Sequence, residues 1–155
     1  MHRAPPFFFK YRCAHPQVTY ARPALSGYEF IVPPMHTKNN QRTGAFGEEA
    51  VTQYLISTRA EIIERNWRIR EGEIDIIALH PDGVFAFIEV KTRTSLAFGH
   101  PFEAISTAKA LRMQRLALGW LATHGCLGSE YQIDVAAVLI APDGSHSIEY
   151  RANLL

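Results

Sequence analysis

Apolar residues recur along this chain with two spacings, one typical of helices and the other of strands. An apolar stripe at helical spacing predicts a helix of about four turns that begins near Gly44; it comprises Phe46, Ala50, Val51, Tyr54 and Leu55. Runs rich in β-branched and aromatic residues predict strands at residues 62–70, 74–79, 84–90 and 131–140. A wide apolar arc followed by Gly125 predicts a second helix at about residues 103–124. The predicted order is therefore α-β-β-β-α-β, with a turn at residues 142–144 leading into a short tail.

The loop between the second and third predicted strands decides which residues face each other. Its sequence, His80-Pro81-Asp82-Gly83, is typical of a hairpin turn. A three-residue loop, residues 81–83, places Asp75 opposite Glu89, with Cβ atoms about 4.5–5.5 Å apart. A two-residue Asp-Gly loop would instead put the two acids on opposite faces of the hairpin. A cation site between them therefore requires the odd-length loop.

Three polar residues of this hairpin form a candidate metal and water site. Glu89 and Lys91 are two positions apart and share a face of their strand, and Asp75 lies opposite. Two carboxylates and a backbone carbonyl can hold one or two Mg²⁺ (or Mn²⁺) ions. A bound ion polarises a phosphoryl oxygen and activates water, while Lys91 can orient or deprotonate that water. The alternative is a solvated Glu-x-Lys face, but the preceding run 84–88 is apolar enough to place these charges at a sheet edge or cleft.

The first helix offers a further acid. Glu48 borders the apolar stripe and can reach the sheet, whereas Glu49 points mostly outward. Both can equally be first-turn acids that the helix dipole favours. Candidate phosphate contacts are Arg93, on the face of Lys91, together with Lys109, Arg112 and Arg115 on one arc of the second helix. A solvated helix face explains that arc at least as well.

Residues 1–41 differ from the rest of the chain in composition. They contain six prolines and five basic residues against one acid, and no secretory signal. We expect a disordered extension there, with Met35 as an alternative start, and a single domain at residues 42–155. No apolar run approaches the roughly 18 residues of a membrane span. This absence and the two separated cysteines, Cys13 and Cys126, favour a cytoplasmic protein with reduced thiols.

The charge of the predicted domain does not by itself favour nucleic-acid binding. Beyond residue 41 the chain has 11 basic and 14 acidic side chains, a balance of −3. Tight binding to a phosphate backbone is usually accompanied by a basic surface. Acids gathered around a bound cation partly explain the deficit.

Several motifs, in their order and spacing, resemble those of the YraN family of small bacterial proteins. They are Gly47-Glu48 heading a helix, Arg65-Asn66 before Trp67, Gly72-Glu73-Ile74-Asp75-Ile76-Ile77-Ala78, Glu89-Val90-Lys91 with Arg93, Phe98-Gly99 with Pro101, and Lys109. That family is placed in the PD-(D/E)XK restriction-endonuclease-like superfamily, near the archaeal Holliday-junction resolvases. The match covers about Thr43 to Leu139. Asp75 lacks the preceding proline that names the superfamily, a variant usual in this family.

The resemblance implies an α/β restriction-endonuclease-like core with a mixed central sheet flanked by helices. It also implies Asp75, Glu89 and Lys91 as a nuclease triad and Glu48 as the helix-borne acid of resolvases. The expected function is that of a Mg²⁺-dependent endonuclease acting on DNA, with branched DNA and a homodimer as open alternatives. A catalytically inactive nucleic-acid-binding or partner-docking module of the same fold is the other hypothesis. The choice between DNA and RNA stays open.

Overall fold

Two helices and five strands make up the part of the chain that the structure, a computed structural model, describes, namely residues 40–95 and 106–154. In chain order they are α1 Asn40–Ser57, β1 Glu61–Ile69, β2 Gly72–Leu79, β3 Phe85–Arg93, α2 Thr107–Thr123, β4 Tyr131–Ile140 and β5 His146–Arg151. The predicted order α-β-β-β-α-β is confirmed, and β5 follows it. Residues 1–39, and with them most of the predicted extension including Met35, lie outside the described residues. No helix among the described residues is long and apolar enough to cross a membrane.

The prediction of a short tail after Gly144 was wrong, because the chain turns back and adds a strand. Asp143 accepts hydrogen bonds from the backbone N–H and the hydroxyl of Ser145 (2.9 and 2.7 Å). This side-chain turn directs β5 antiparallel to β4, with Ile140 opposite His146. The tail therefore covers an edge of the sheet.

The five strands form one mixed sheet in the order β1-β2-β3-β4-β5. The pair β3–β4 is parallel, and the other three pairs are antiparallel. A parallel pair needs a long crossover, which the segment containing α2 supplies. The sheet confirms the expected α/β architecture with a mixed central sheet.

Each face of the sheet carries its own hydrophobic core under one helix. The core beside α2 includes Phe87, Met113, Leu116, Trp120 and Leu121. Opposite it, the core beside α1 includes Val51, Leu55, Ile76, Ile88 and Val138. Burial of each such side chain contributes about 1.5–3 kcal/mol. Because both faces are covered, residues 85–90 of β3 are buried without interruption, which explains why that strand is a continuous apolar run.

The β2–β3 hairpin has the odd-length loop that a shared site requires. Backbone hydrogen bonds join His80 N to Val84 O (3.0 Å) and Gly83 N to His80 O (2.9 Å). Gly83 adopts a φ of 87°, which a residue without Cβ reaches freely. Ile77 pairs with Phe87 and Leu79 with Phe85. The register that a three-residue loop implies is confirmed for these pairs, but the predicted pair of Asp75 with Glu89 does not form, because the pairing of the two strands stops before it.

The residues directly before and after Asp75 in β2 pack into different hydrophobic cores, on opposite faces of the sheet. Ile74 is buried in the core beside α2, whereas Ile76 is buried in the core beside α1. Regular alternation would place two residues that are two positions apart on one face. On the neighbouring strand β1, Asn66 has a positive φ of 53°. It lies between residue 65, which pairs with residue 76 of β2, and residue 67, which pairs with residue 74. Pairing of β2 with β3 ends at Ile76 and Ile88, so Asp75 lies just beyond the paired segment.

Helix α1 approaches β3 most closely at Gly47, directly before Glu48. A Cβ atom on Gly47 would lie 1.8 Å from Oγ1 of Thr92 and 3.0 Å from its Cβ. That hydroxyl is buried and has no hydrogen-bond partner among the described residues. Only glycine permits this contact, so Gly47 sets the distance between the helix that bears Glu48 and the strand that bears Lys91.

We expect Gly47→Ala to lower the free energy of unfolding by about 1–3 kcal/mol, because the added methyl group overlaps Thr92. Gly44→Ala is the matched control, since it lies in the same helix and nothing stands within 4 Å of an added Cβ. The control should stabilise the protein by about 0.5–1 kcal/mol. Urea denaturation measures both values. Thr92→Ala should restore part of the stability lost in Gly47→Ala, and equal effects of the two glycine substitutions would contradict the close approach.

Candidate active site

Asp75, the first residue of the candidate site, lies just beyond the last pair of β2 with β3. Its Oδ2 accepts a hydrogen bond from the backbone N–H of Val90 (2.7 Å). The pKa of Asp75 is raised from 3.8 to about 6, mainly by burial and further by the negative charges of Glu89 and Glu48. The Val90 N–H and the charge of Lys91 act in the opposite direction but do not compensate. The structure thus holds Asp75 within electrostatic reach of both other predicted acids.

Glu89 is a buried carboxylate, only 6% exposed, that two lysines neutralise. The ammonium groups of Lys91 and Lys109 both donate hydrogen bonds to its Oε1. Burial alone would raise the pKa of Glu89, but the hydrogen bonds from Lys109 and Lys91 outweigh burial and lower it. Glu89 is therefore the ionised centre of the cluster.

The two lysines of this cluster are affected differently by their surroundings. Burial lowers the pKa of each ammonium group. For Lys91, contact with Glu89 and the charge of Asp75 outweigh burial, so its pKa is raised. For Lys109, burial and the repulsion from Lys91 prevail over the attraction of Glu89, so its pKa is lowered. Lys91 is thus a firmly charged hydrogen-bond donor that faces both carboxylates.

Glu48 reaches the sheet from α1, as its position on the helix predicts. Its Oε2 accepts a hydrogen bond from Nδ2 of Asn66 (3.0 Å), and its charge acts on Asp75. Glu49 is exposed and binds Arg65 (2.8 Å) and Gln53 (2.9 Å), so it points outward as expected. Among residues 40–95 and 106–154, no three acidic, histidine or cysteine side chains stand close enough together to hold a metal ion. Glu48 is therefore near Asp75 but engaged with Asn66.

Three of the predicted phosphate contacts occupy different positions. Lys109 lies inside the cluster, on Glu89. Arg112 is exposed on α2, with its Cδ 3.9 Å from the position of a Cβ on Gly72. Arg93 is half-buried at the end of β3, and its Nε has no hydrogen-bond partner in the described part of the chain. Only Lys109 contacts a member of the predicted triad.

Two contacts of the site were missed by sequence reasoning. One is the hydrogen bond from Asn66 to Glu48, and the other is the contact of Lys109 with Glu89. Asn66 carried a weak signal, since asparagine tolerates a positive φ better than most residues. Lys109 was singled out as a candidate phosphate contact and as part of the family resemblance, but its contact with Glu89 was not predicted, because contact between a helix and a strand 20 residues earlier depends on how the helix packs.

Comparisons with known proteins agree with the arrangement of these motifs. Residues 47–138 match the model of "Uncharacterised protein family UPF0102". A UPF0102 protein of Beutenbergia cavernae is 45% identical over 107 residues, which cover 69% of this chain and 90% of the relative. One from Arthrobacter is 47% identical, with the same coverage. Another from Trichlorobacter lovleyi is 38% identical over 120 residues, which cover 77% and 94% of the two chains.

Among solved structures, SfsA of Pyrococcus furiosus in complex with Ca²⁺ shows a distant likeness. It is 14% identical, with a TM-score of 0.34, and the alignment covers 83% of this chain and 76% of that chain. The family match, in contrast, spans both acids and the lysine of the triad. The chain therefore belongs to the uncharacterised protein family UPF0102, which is the YraN family of PD-(D/E)XK-like nucleases.

Proposed function

We propose that this protein is a divalent-cation-dependent nuclease that hydrolyses phosphodiester bonds in DNA, with Asp75, Glu89 and Lys91 as its catalytic residues. One observation carries the proposal: two carboxylates and an ammonium group converge where β2 ceases to pair with β3. A purely structural ion pair would not need a second, partly buried acid within electrostatic reach. The placement of the family among PD-(D/E)XK-like nucleases supports the same class of activity.

The acids of the site fit a hard divalent cation such as Mg²⁺ or Mn²⁺. Asp75 and Glu89 supply carboxylate oxygens, the ligand type that these ions prefer, and Glu48 adds a negative charge that acts on Asp75. Burial is the main cause of the raised pKa of Asp75, and repulsion from Glu89 is the next; a bound cation would relieve that repulsion. When bound there, such an ion polarises the phosphoryl oxygen and lowers the pKa of its water.

Lys91 positions water and stabilises charge in this scheme. Its ammonium group is a donor on the side of the strand that bears Glu89, and Asp75 holds it by charge. From there it can direct a hydrogen bond to the attacking water and to the negative charge that grows on the phosphate. Asp75 itself is oriented by the Val90 N–H, which leaves its other oxygen for a ligand.

Branched DNA is the narrower substrate that we propose, by analogy with the resolvases to which the residue pattern is similar. A homodimer would suit a junction with two strands to cut. The second candidate is a module of the same fold that binds nucleic acid or a partner without catalysis. It is favoured by the contacts of both lysines with Glu89, which neutralise that acid without a metal ion.

Wild-type protein should bind Mg²⁺ in isothermal titration calorimetry, and Asp75→Asn should weaken that binding at least about tenfold, because one of two anionic ligands is lost. Glu71→Gln is the matched control, since Glu71 is an exposed acid just before β2. Equal Mg²⁺ affinity of wild type and Asp75→Asn would remove Asp75 from the metal site.

Without a metal ion, Asp75→Asn should be more stable than wild type above about pH 6 and lose this advantage near pH 4. The folded-state pKa of Asp75 is about 6 and its ordinary value is 3.8, so the folded state binds more protons between these values. Ionisation therefore reduces wild-type stability as the pH rises through this window, by about 1–3 kcal/mol. Urea denaturation in a chelator at both pH values measures the difference. An advantage that stays constant with pH would contradict the raised pKa.

Cleavage of labelled duplex and four-way junction DNA in Mg²⁺ or Mn²⁺ should fall about 100-fold or more in Lys91→Ala. Arg59→Ala, which removes an exposed positive charge just after α1 and outside the basic arc of α2, should cleave like wild type. Equal cleavage by wild type and Lys91→Ala would exclude Lys91 from the mechanism. No cleavage of any DNA or RNA by wild type would favour the non-catalytic module.

A further inference from the structure

Two ammonium groups share one oxygen of a single carboxylate in this site. Lys91 and Lys109 both donate a hydrogen bond to Oε1 of Glu89, although two ammonium groups held at the same oxygen atom repel each other. The negative charges of Asp75 and Glu48 nearby make the arrangement tolerable. Counted as ionised groups, the three acids and two lysines leave one negative charge in excess.

With a divalent cation bound to Asp75 and Glu89, the same cluster has one positive charge in excess. One ammonium group then lies against a cation that has taken over its carboxylate, and repulsion favours its departure. A phosphodiester group carries one negative charge, so its arrival would make the cluster neutral. The charge balance of the cluster therefore favours binding of an anion only after a divalent cation has bound.

Lys109 is better placed to leave Glu89 than Lys91. Lys91 is two residues from Glu89 on the same strand, and the charge of Asp75 also attracts it. Lys109 comes from the first turn of α2, where its backbone N–H donates to Oγ of the cap residue Ser106 (3.3 Å). The two lysine side chains are similarly exposed (21% for Lys109 and 27% for Lys91), so the difference lies in their attachment: rotation about the flexible stem of Lys109 can take its ammonium group away from Glu89 while the helix stays in place.

We infer that Lys109 is a phosphate ligand that Glu89 holds in the metal-free protein and releases when a divalent cation binds. The inference rests on the proposed function, since it requires a cation at Asp75 and Glu89. Its consequence is that cation and DNA each raise the affinity for the other, because Lys109 can serve only one of its two anionic partners at a time. Lys109 thereby couples the filling of the metal site to the capture of substrate.

The test measures metal and DNA binding separately from cleavage. Isothermal titration with Mg²⁺ should show that Lys109→Met binds the ion about tenfold more tightly than wild type, since a competing charge is gone while the apolar stem remains. Arg115→Met controls for the loss of one positive charge from the same helix. Anisotropy of a fluorescein-labelled DNA duplex is then measured with and without Ca²⁺, which takes similar oxygen ligands.

Wild type should bind the duplex more tightly with Ca²⁺ than without it, and Lys109→Met should lose that gain while Lys109→Arg keeps most of it. Two results would overturn the inference: Mg²⁺ affinity of Lys109→Met no higher than that of Arg115→Met, or an undiminished gain in its DNA affinity with Ca²⁺. If wild type binds no divalent cation, both this inference and the proposed function fail. If these binding results hold but wild type cleaves no DNA, the proposed catalysis fails and the role of Lys109 is supported.

Discussion

The hydrogen bond from the Val90 N–H to the Asp75 carboxylate is the interaction on which the site depends. A backbone donor inside a sheet must find an acceptor, and here a side chain supplies it just beyond the last β2–β3 pair. That single bond completes the hydrogen bonding of β3 at this point. It also holds a carboxylate within electrostatic reach of Glu89. Asp75 thus lies where the pairing of β2 with β3 has ended, and it is also a member of the candidate site.

Because the side chains of β2 change faces at Asp75, charged groups from both faces of the sheet act on this one carboxylate. Glu48 acts on it from α1, while Glu89 and Lys91 act on it from the side of the strand that faces the α2 core. A residue in a regularly alternating strand would sense one layer only. The positive φ of Asn66 lies on the adjacent strand, and the Asn66 amide also holds Glu48. Local backbone irregularity, in this fold, is what brings acids from two layers to one place.

Much of this arrangement was predictable because it follows from short-range rules. The loop length gave the register, strand alternation placed Glu89 and Lys91 on one face, and the helical period placed Glu48 at the sheet. The fifth strand was not predicted, since His146–Arg151 alternates apolar and polar residues over only six positions after a strong turn signal. The face change was missed because alternation was assumed through Asp75. The Lys109 contact depends on how α2 packs on the sheet, which no local pattern encodes.

On β3 the last buried aromatic residue and the first residue of the candidate site are only two positions apart, and this limits where the β2–β3 hairpin can change in length. Phe85 and Phe87 are anchored under α2, and Glu89 and Lys91 continue the same alternation. The exposed tip at residues 81–83 can accept extra residues, because both strands keep their partners when the tip grows. A single residue inserted between Phe87 and Glu89 would instead rotate the carboxylate and the lysine to the α1 side together. The fold therefore tolerates changes in length at the tip but not between the buried aromatic residues and Glu89.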